Sequence, residues 1–525
     1  MVRLNSLIEQ VQARYILVHD RTRQHIVMDT LEIERILLLR SMQNIDCHDE
    51  IVMPMDSIAY IIFTSGSTGI PKVVPISHKN FQTCIISMAD QSIMRSEDII
   101  IQTTPMTFDI HMLEILGSFW LGSTLCLLRP KGNLDMCYYT SVVEQHGVTL
   151  SFMVPTLISV LAQYLQNYGQ RRSSISSIQC LCSLGEALQP KTASAMYELM
   201  NPSIRFYNLY GPAECTLIST FHRIIPHDFT CDSVPIGRPL GGYQYKVLDA
   251  FFQPVFMGQQ VGELFVGGDG VFKGYLNQSD LTKESLIDLP GTKSLFYRTG
   301  DLVRVDIESN TLYYVGRTDF QVKIRGQRIE LGHIEATIRR LSSEITNCVV
   351  IKYFHNDSEQ LVAYIQTVVH LNVDTLREQC LDLLPATMVP ALFVLIEQFP
   401  FNINGKIDRK ALPPPDFSFQ SNEALIIDNN RMTEMEQKVA SIWTEILGLD
   451  QIPSKSQSFF RLGGHSLLLI KLHYRYEVEF KKSLNLCDFF FHTTISDHVL
   501  LLKNNQIAAI ESRWQPFNIT EGSFN

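Results

Sequence analysis

The chain has 525 residues, 45% hydrophobic and 19% charged, a composition that buries substantial cores and excludes a disordered chain. Its 44 Lys and Arg stand against 54 Asp and Glu, and the net charge of −10 argues against a nucleic-acid partner held through phosphate contacts. The 11 cysteines are scattered without CxxC or Cys/His ligand spacing, so neither a zinc site nor a disulfide frame is indicated, and a reducing, cytoplasmic setting fits.

In chain order, the opening MVRLNSLIEQ lacks the apolar core of a signal peptide. No later apolar run approaches the roughly 18 residues that span a bilayer, so no membrane partner is expected. Up to about Gly316, short β-branched runs alternate with amphipathic helical patterns. IAYIIF (Ile58–Phe63), STLCLL (Ser123–Leu128) and SIQCLCSL (Ser177–Leu184) are such runs, and they predict a layered α/β architecture with largely parallel sheets. Between Val234 and Tyr314 the runs shorten and Gly-rich turns multiply, which predicts an antiparallel, barrel-like section.

From Asp319 to about Leu412 the pattern is a compact α+β unit. Within it VKIRGQRIEL reads as a hairpin turning at Gly326–Gln327, followed by a helix through Ile334–Leu341. LPPPDFSFQSNEA (Leu412–Ala424) is proline-rich, then polar, and reads as a linker. After it Thr433 with Gln437 opens a helix with apolar Val439, Ile442, Trp443, Ile446 and Leu447, the first of an all-helical segment. The expected domains are 1–318, 319–415 and 431–505, with a linker at 416–430 and a tail at 506–525.

Two short stretches carry chemistry. FTSGSTGIPK (Phe63–Lys72) follows a buried strand, and its glycines and hydroxyls suit a loop wrapped around phosphates, with Lys72 adding charge. It is not the Walker pattern, which needs GxxxxGK[ST]. LGGHSLLLIKL (Leu462–Leu472) places one serine, Ser466, where an apolar run begins. A helix N-cap is the bland reading of that serine, and a modification site is compatible with it.

The phosphate loop resembles that of adenylate-forming enzymes, specifically the adenylation modules of non-ribosomal peptide synthetases. NLYGPAECT (Asn208–Thr216), GELFVGGDGVFKGY (Gly262–Tyr275), YRTGDLVR (Tyr297–Arg304), GRTDFQVKIRGQRIELGHIE (Gly316–Glu335) and NINGKIDRKALP (Asn402–Pro413) follow in the family's order. FFRLGGHSLLLIKL resembles the peptidyl carrier signature. The resemblance implies an α/β adenylation core, an α+β lid domain as in acyl-CoA synthetases and luciferase, and an all-α, four-helix carrier bundle.

It also implies roles. Thr64, Ser65, Gly66, Ser67, Thr68, Gly69 and Lys72 would hold ATP phosphates; Gly185, Asn208, Tyr210 and Gly211 would border the nucleotide, with Tyr210 stacked on adenine. Glu214 would bind Mg²⁺, Asp301 the ribose with Arg317 nearby, and Lys406 the reacting carboxylate and bridging oxygen; Asp319 would be the lid hinge. Ser466 would accept 4′-phosphopantetheine from a phosphopantetheinyl transferase, with Leu468, Leu472, Tyr476 and Phe480 burying the helix behind it. Where the family often has a threonine before the glutamate this chain has Ala213, a loss of roughly 1.5–3 kcal/mol if nothing replaces that hydrogen bond.

In TFDIHMLE, Asp109 stands where family members that use α-amino acids keep a carboxylate for the substrate ammonium. The remaining pocket positions would be Ile110, Leu113, Phe152, Cys182, Leu184, Leu209, Leu217 and Ile218. None satisfies a polar side chain, so the expected substrate is small and aliphatic, alanine first and valine second. Only 63 residues precede Thr64, and they do not resemble the family's earlier segments, so the core is expected to be N-terminally incomplete. WQPFNITEG (Trp514–Gly522) resembles the lead-in to a condensation domain, and condensation domains are expected partners upstream and downstream. The expected function is adenylation of an amino acid and its transfer to the chain's own carrier. The alternatives are a degenerate fragment that serves only as a carrier or docking module, and a free-standing acyl-CoA ligase, disfavoured by Asp109 and the carrier.

Overall fold

Short apolar runs covered on both faces become strands, and amphipathic stretches between them become helices that cover those faces. The computed structural model describes residues 7, 10–11, 15–18, 35–38, 53–64, 71–167, 173–255, 260–292, 294–306, 308–318, 321–324, 327–355, 358–367, 371–385, 388–400, 407, 409–415, 432–449, 451–459, 462, 464, 466–482, 484, 489 and 492–504. The chain divides into two compact units, 1–412 and 413–525. No described helix is long and apolar enough to cross a membrane.

In the first unit β1 (Tyr15–Val18) and β2 (Arg35–Leu38) pair in parallel. β3 (Ile58–Thr64) and β4 (Lys72–Ser77) form an antiparallel hairpin in which Thr64 faces Lys72. This corrects the expectation that Ile58–Phe63 joins a parallel layer. A loop this short permits only an antiparallel return, since a parallel one needs a crossover of a dozen or more residues. α1 (His78–Asp90) starts directly at the end of β4 because Ser77 caps it: Asn80 N donates to Ser77 Oγ at 3.2 Å, and Ser77 N donates to Asn80 Oδ1 at 3.0 Å.

The main sheet is built from β5 (Ile99–Gln102), α2 (Ile110–Leu121), β6 (Thr124–Leu127), α3 (Met136–His146), β7 (Leu150–Met153), α4 (Pro155–Asn167), β8 (Cys180–Ser183), α5 (Pro190–Tyr197), β9 (Arg205–Tyr210), β10 (Thr220–Arg223) and β11 (Arg238–Pro239). Its strand order is β11-β10-β9-β8-β7-β5-β6. The five strands from β9 to β6 are parallel, and β10 and β11 are antiparallel. β7 and β8 are buried at every residue, as continuous apolar strands covered on both faces require. Ligands of such sheets bind beyond the carboxyl ends of the parallel strands. Those ends deliver Thr103, Met153, Leu184 and Gly211 here.

The predicted barrel-like section is a five-stranded antiparallel sheet of β12 (Tyr243–Leu248), β13 (Val261–Gly268), β14 (Leu286–Ile287, after α6, Ser279–Ser285), β15 (Phe296–Asp306) and β16 (Thr311–Arg317). Its register sets Asp301 of β15 opposite Arg317 of β16. β17 (Gln321–Ile324) and β18 (Gln327–Glu330) then form the expected hairpin, with Gln327 paired to Ile324 on a strand rather than lying in the turn, while Gly326 lies outside the described residues. α7 (Leu331–Leu341) also starts earlier than Ile334, because Leu331 is buried and extends the apolar stripe of Ile334 and Ile338. β19 (Ile345–His355), β20 (Ser358–Thr367), α8 (Val373–Leu383) and β21 (Leu392–Ile396) complete a small core of their own.

The second unit contains α9 (Glu434–Leu447), α10 (Ser466–Phe480) and α11 (Ile495–Asn504), three of the four expected helices among the described residues. Thr433 caps α9, but its capping-box partner is Glu436 rather than Gln437, since the reciprocal bond needs the third helical residue. Leu468, Leu472 and Tyr476 are buried and Phe480 packs beside them, as their spacing predicted. Trp443 Nε1 donates to Tyr476 Oη at 2.7 Å, and Tyr476 Oη lies 3.0 Å from His498 Nδ1. Burial holds that histidine neutral, with its pKa lowered to about 4. The linker 416–430 and the tail 506–525 lie outside the described residues.

Candidate active site

The hairpin β3–β4 fixes both ends of the phosphate loop, while Ser65, Gly66, Ser67, Thr68 and Gly69 lie outside the described residues. Thr64 Oγ1 is buried with no hydrogen-bond partner, as a group waiting for a ligand oxygen would be. Lys72 Nζ stands 3.8 Å from Glu330 Oε1, at the start of α7, and 6.0 Å from the ring of Tyr275. Tyr275 in turn donates its hydroxyl to Glu214 Oε1 at 2.7 Å. Glu214 is fully buried in a 3-10 turn, Ala213–Cys215, against which β4 packs. Tyr275 was not singled out from sequence, although it closes the GELFVGGDGVFKGY motif.

The end of β9 supplies the next group. Gly211 is required there: a Cβ would lie 2.4 Å from the Leu217 carbonyl oxygen. Asn208 is turned inward and donates Nδ2 to the Pro235 carbonyl at 2.7 Å. Tyr210 donates its hydroxyl to Asp301 Oδ2 at 2.5 Å, while Arg317 holds Asp301 Oδ1 at 2.7 Å. Burial, with Asp301 beside it, pushes the Tyr210 phenol well above its ordinary pKa, so it remains a donor. The Arg317 and Asp301 side chains are only 8% and 4% exposed. Asp301→Ala removes one partner of a buried ion pair, and urea unfolding should show the protein destabilised by about 3–5 kcal/mol. A cavity of about 440 Å³ opens here, lined by Lys72, Tyr275, Arg298, Thr299 and Arg317 among others.

At the other end Asp109 precedes the first turn of α2 and is half-buried. Ile110, Leu113, Phe152, Cys182, Leu184, Leu209, Leu217 and Ile218 all fall in one apolar cluster, brought together from α2, β7, β8, β9 and the segment after β9. Tyr60 of β3 belongs to it too, a residue sequence reasoning gave no role, and its buried hydroxyl has no partner. Burial, assisted by the charge of Asp109, keeps the Tyr60 phenol protonated; burial likewise pushes the Cys84 thiol up to about 12. Gly185, just past β8, has φ of +84°, which glycine adopts without strain. Thr216 and Leu217 also adopt positive φ, +51° and +70°, which L side chains rarely do. Thr216 Oγ1 donates to the Gly270 carbonyl at 2.7 Å and helps hold that turn.

Lys406 and Asp319 lie outside the described residues. Ser466 is the first residue of α10, where free backbone N–H groups and the helix dipole favour a phosphodiester. The residues fit both groups the motifs imply. Mg²⁺ favours one or two carboxylates completed by phosphate oxygens, which the buried carboxylate of Glu214 matches, and phosphopantetheine needs the helix-initiating serine.

With that geometry in hand, the AMP-binding enzyme profile matches residues 3–276, more than half of the sequence. The chain belongs to the AMP-binding enzyme family. A second profile, the phosphopantetheine attachment site, matches residues 437–502 and includes Ser466. This AMP-binding enzyme thus has the adenylation-plus-carrier arrangement of non-ribosomal peptide synthetases. It is 38% identical to tyrocidine synthase 3 of Brevibacillus parabrevis over 78% of this chain and 6% of that protein. It is 34% identical to gramicidin S synthase 2 of Brevibacillus brevis over 80% of this chain and 9% of that protein. The chain therefore spans a small part of these curated relatives. Among solved structures it resembles a holo NRPS protein containing adenylation and PCP domains, bound to a vinylsulfonamide inhibitor, at 25% identity and a TM-score of 0.75, covering 95% of this chain and 81% of that one. It also resembles the Vibrio cholerae adenylation domain AlmE in complex with glycyl-adenosine-5′-phosphate, at 26% identity and a TM-score of 0.65, over 77% and 80% of the two chains.

Proposed function

We propose that the chain activates a small aliphatic amino acid, alanine first and valine second, with ATP. The observation that carries this reading is Asp109, half-buried at the start of α2 next to an apolar cluster that contains all eight candidate side chains. Its carboxylate pairs the substrate ammonium, and the cluster takes a side chain with no polar group, since an unpaired one would cost several kcal/mol there. A substrate carboxylate oxygen then attacks the α-phosphorus, the bond to the β-phosphate oxygen breaks, and aminoacyl-AMP and pyrophosphate form.

Asp301, oriented by Tyr210 and Arg317, takes the ribose hydroxyls. Thr64 and Lys72 hold the phosphates, and Lys406 stabilises the charge that develops as the bond breaks. Mg²⁺ on Glu214 would add charge neutralisation at the phosphates. Phosphopantetheine on Ser466 would supply the thiol that receives the aminoacyl group. The partners of this reading are a phosphopantetheinyl transferase and condensation domains on either side.

Amino-acid-dependent exchange of pyrophosphate into ATP tests it. Alanine and valine should support exchange above other amino acids, and Asp109→Ala should raise the amino-acid KM by tenfold or more, on the order of one buried ion pair lost. Exchange with no amino acid, or a mutant KM equal to that of the parent, would overturn it.

A further inference from the structure

Glu114 lies on α2 five residues after Asp109, and it is fully buried. Its Oε1 is 3.0 Å from Thr103 N, 2.9 Å from Thr103 Oγ1, 3.2 Å from Thr104 N and 3.0 Å from Thr104 Oγ1. Those threonines leave the carboxyl end of β5 and begin the turn that leads to Asp109. Thr103 Oγ1 also meets the main-chain carbonyl of Phe152 on β7. One buried carboxylate thus ties the segment bearing Asp109 to the strand bearing Phe152, and both are positions of the proposed amino-acid pocket.

A count of protons gives this tie two states. Thr103 has one hydroxyl proton and two acceptors, Phe152 O and Glu114 Oε1. While Glu114 is a carboxylic acid, it donates to Thr103 Oγ1 and Thr103 donates to Phe152 O. Once Glu114 is ionised, the threonine proton turns to the carboxylate and Phe152 O gives up this donor. Burial raises the Glu114 pKa to about 7, against the four threonine hydrogen bonds that lower it. Tyr139 on α3 feels the Glu114 charge, while burial keeps the Cys126 thiol of β6 protonated. Its own phenol is held protonated by burial and lies 3.0 Å from Ser151 Oγ.

We propose that Glu114 is a positioning residue for amino-acid recognition: through Thr103 and Thr104 it locks the turn leading to Asp109 against β7, and ionisation of its carboxyl loosens that lock. The inference rests on the amino-acid-activating reading above. A misplaced binding group costs affinity without touching the nucleotide, so the effect falls on one substrate.

The test measures KM for amino acid and for ATP, and kcat, in pyrophosphate exchange from pH 6 to 8.5 with the full chain. In the parent protein the amino-acid KM should rise as pH passes about 7. Glu114→Gln keeps a neutral acceptor in place and should flatten that profile. Glu114→Ala should raise the amino-acid KM about tenfold with the ATP KM little changed. Equal rises in both KM values, an unmoved amino-acid KM in Glu114→Ala, or a retained inflection in Glu114→Gln would overturn the proposal. If the parent protein exchanges no amino acid, the activation reading fails and amide hydrogen exchange decides the positioning claim. The Thr103 and Thr104 amides should lose protection in Glu114→Ala and keep it in Glu114→Gln, with far-UV circular dichroism unchanged. Unaltered protection in Glu114→Ala would refute it.

Discussion

Lys406→Ala is expected to reduce amino-acid-dependent pyrophosphate exchange by about a hundredfold or more, the scale on which loss of one transition-state charge stabiliser is felt. ATP binding should survive nearly intact, because the nucleotide-holding residues proposed above, Thr64, Lys72, Tyr210, Asp301 and Arg317, keep their own side chains in this variant. Arg409 pairs with Glu335 of α7 at 2.7 Å and donates to the Val350 carbonyl, which anchors it to the small core. Steady-state exchange and nucleotide binding, measured on the same protein, separate the two effects; parental exchange in the mutant would remove Lys406 from the reaction.

Ser466→Ala is expected to abolish attachment of phosphopantetheine altogether. With coenzyme A and a phosphopantetheinyl transferase, the parent chain should gain one group by intact mass and the mutant none. The change is confined to the first residue of α10, and the buried stripe of Leu468, Leu472 and Tyr476 is untouched, so loss of the hydroxyl rather than unfolding explains the result. Attachment in the mutant would move the site elsewhere. A parent chain that takes the group yet exchanges no pyrophosphate would favour the carrier-only alternative.

Local signals carried much of this architecture. The strands at Ser123–Leu128 and Ser177–Leu184 appear as β6 and β8, because runs this short, flanked by turn residues, are too brief for a helix. Thr433 caps α9 as its position predicted. The errors were of register and partner. β3 reads as any buried strand does, and nothing in its own residues announces an antiparallel mate. Asp301 and Arg317 were legible separately as motif residues, but their pairing depends on the β15–β16 register. Lys72 and Glu330 are far apart in sequence and meet only through tertiary structure. Tyr275 on Glu214 and Thr103 on Glu114 are likewise contacts between side chains whose local sequence fits an ordinary turn or helix.

The left-handed backbone at Leu217 bears on how this enzyme's preference can evolve. Each such residue costs about 1–3 kcal/mol and persists because its surroundings over-determine it. Exchanging Leu217 for valine or isoleucine would add the crowding of a branched Cβ to a backbone that already disfavours any Cβ. Glycine or asparagine would relax the backbone but empty the apolar wall or place an amide in it. The position is therefore nearly frozen, whatever substrate would be advantageous. Of the other positions of the proposed pocket, Ile110, Leu113 and Phe152 have ordinary helix and strand backbones and accept most side chains, so a drift in preference would more readily change them. If the proposed pocket is the one used, variation among descendants should accumulate at those positions and spare a turn that mutation explores only at a loss of stability.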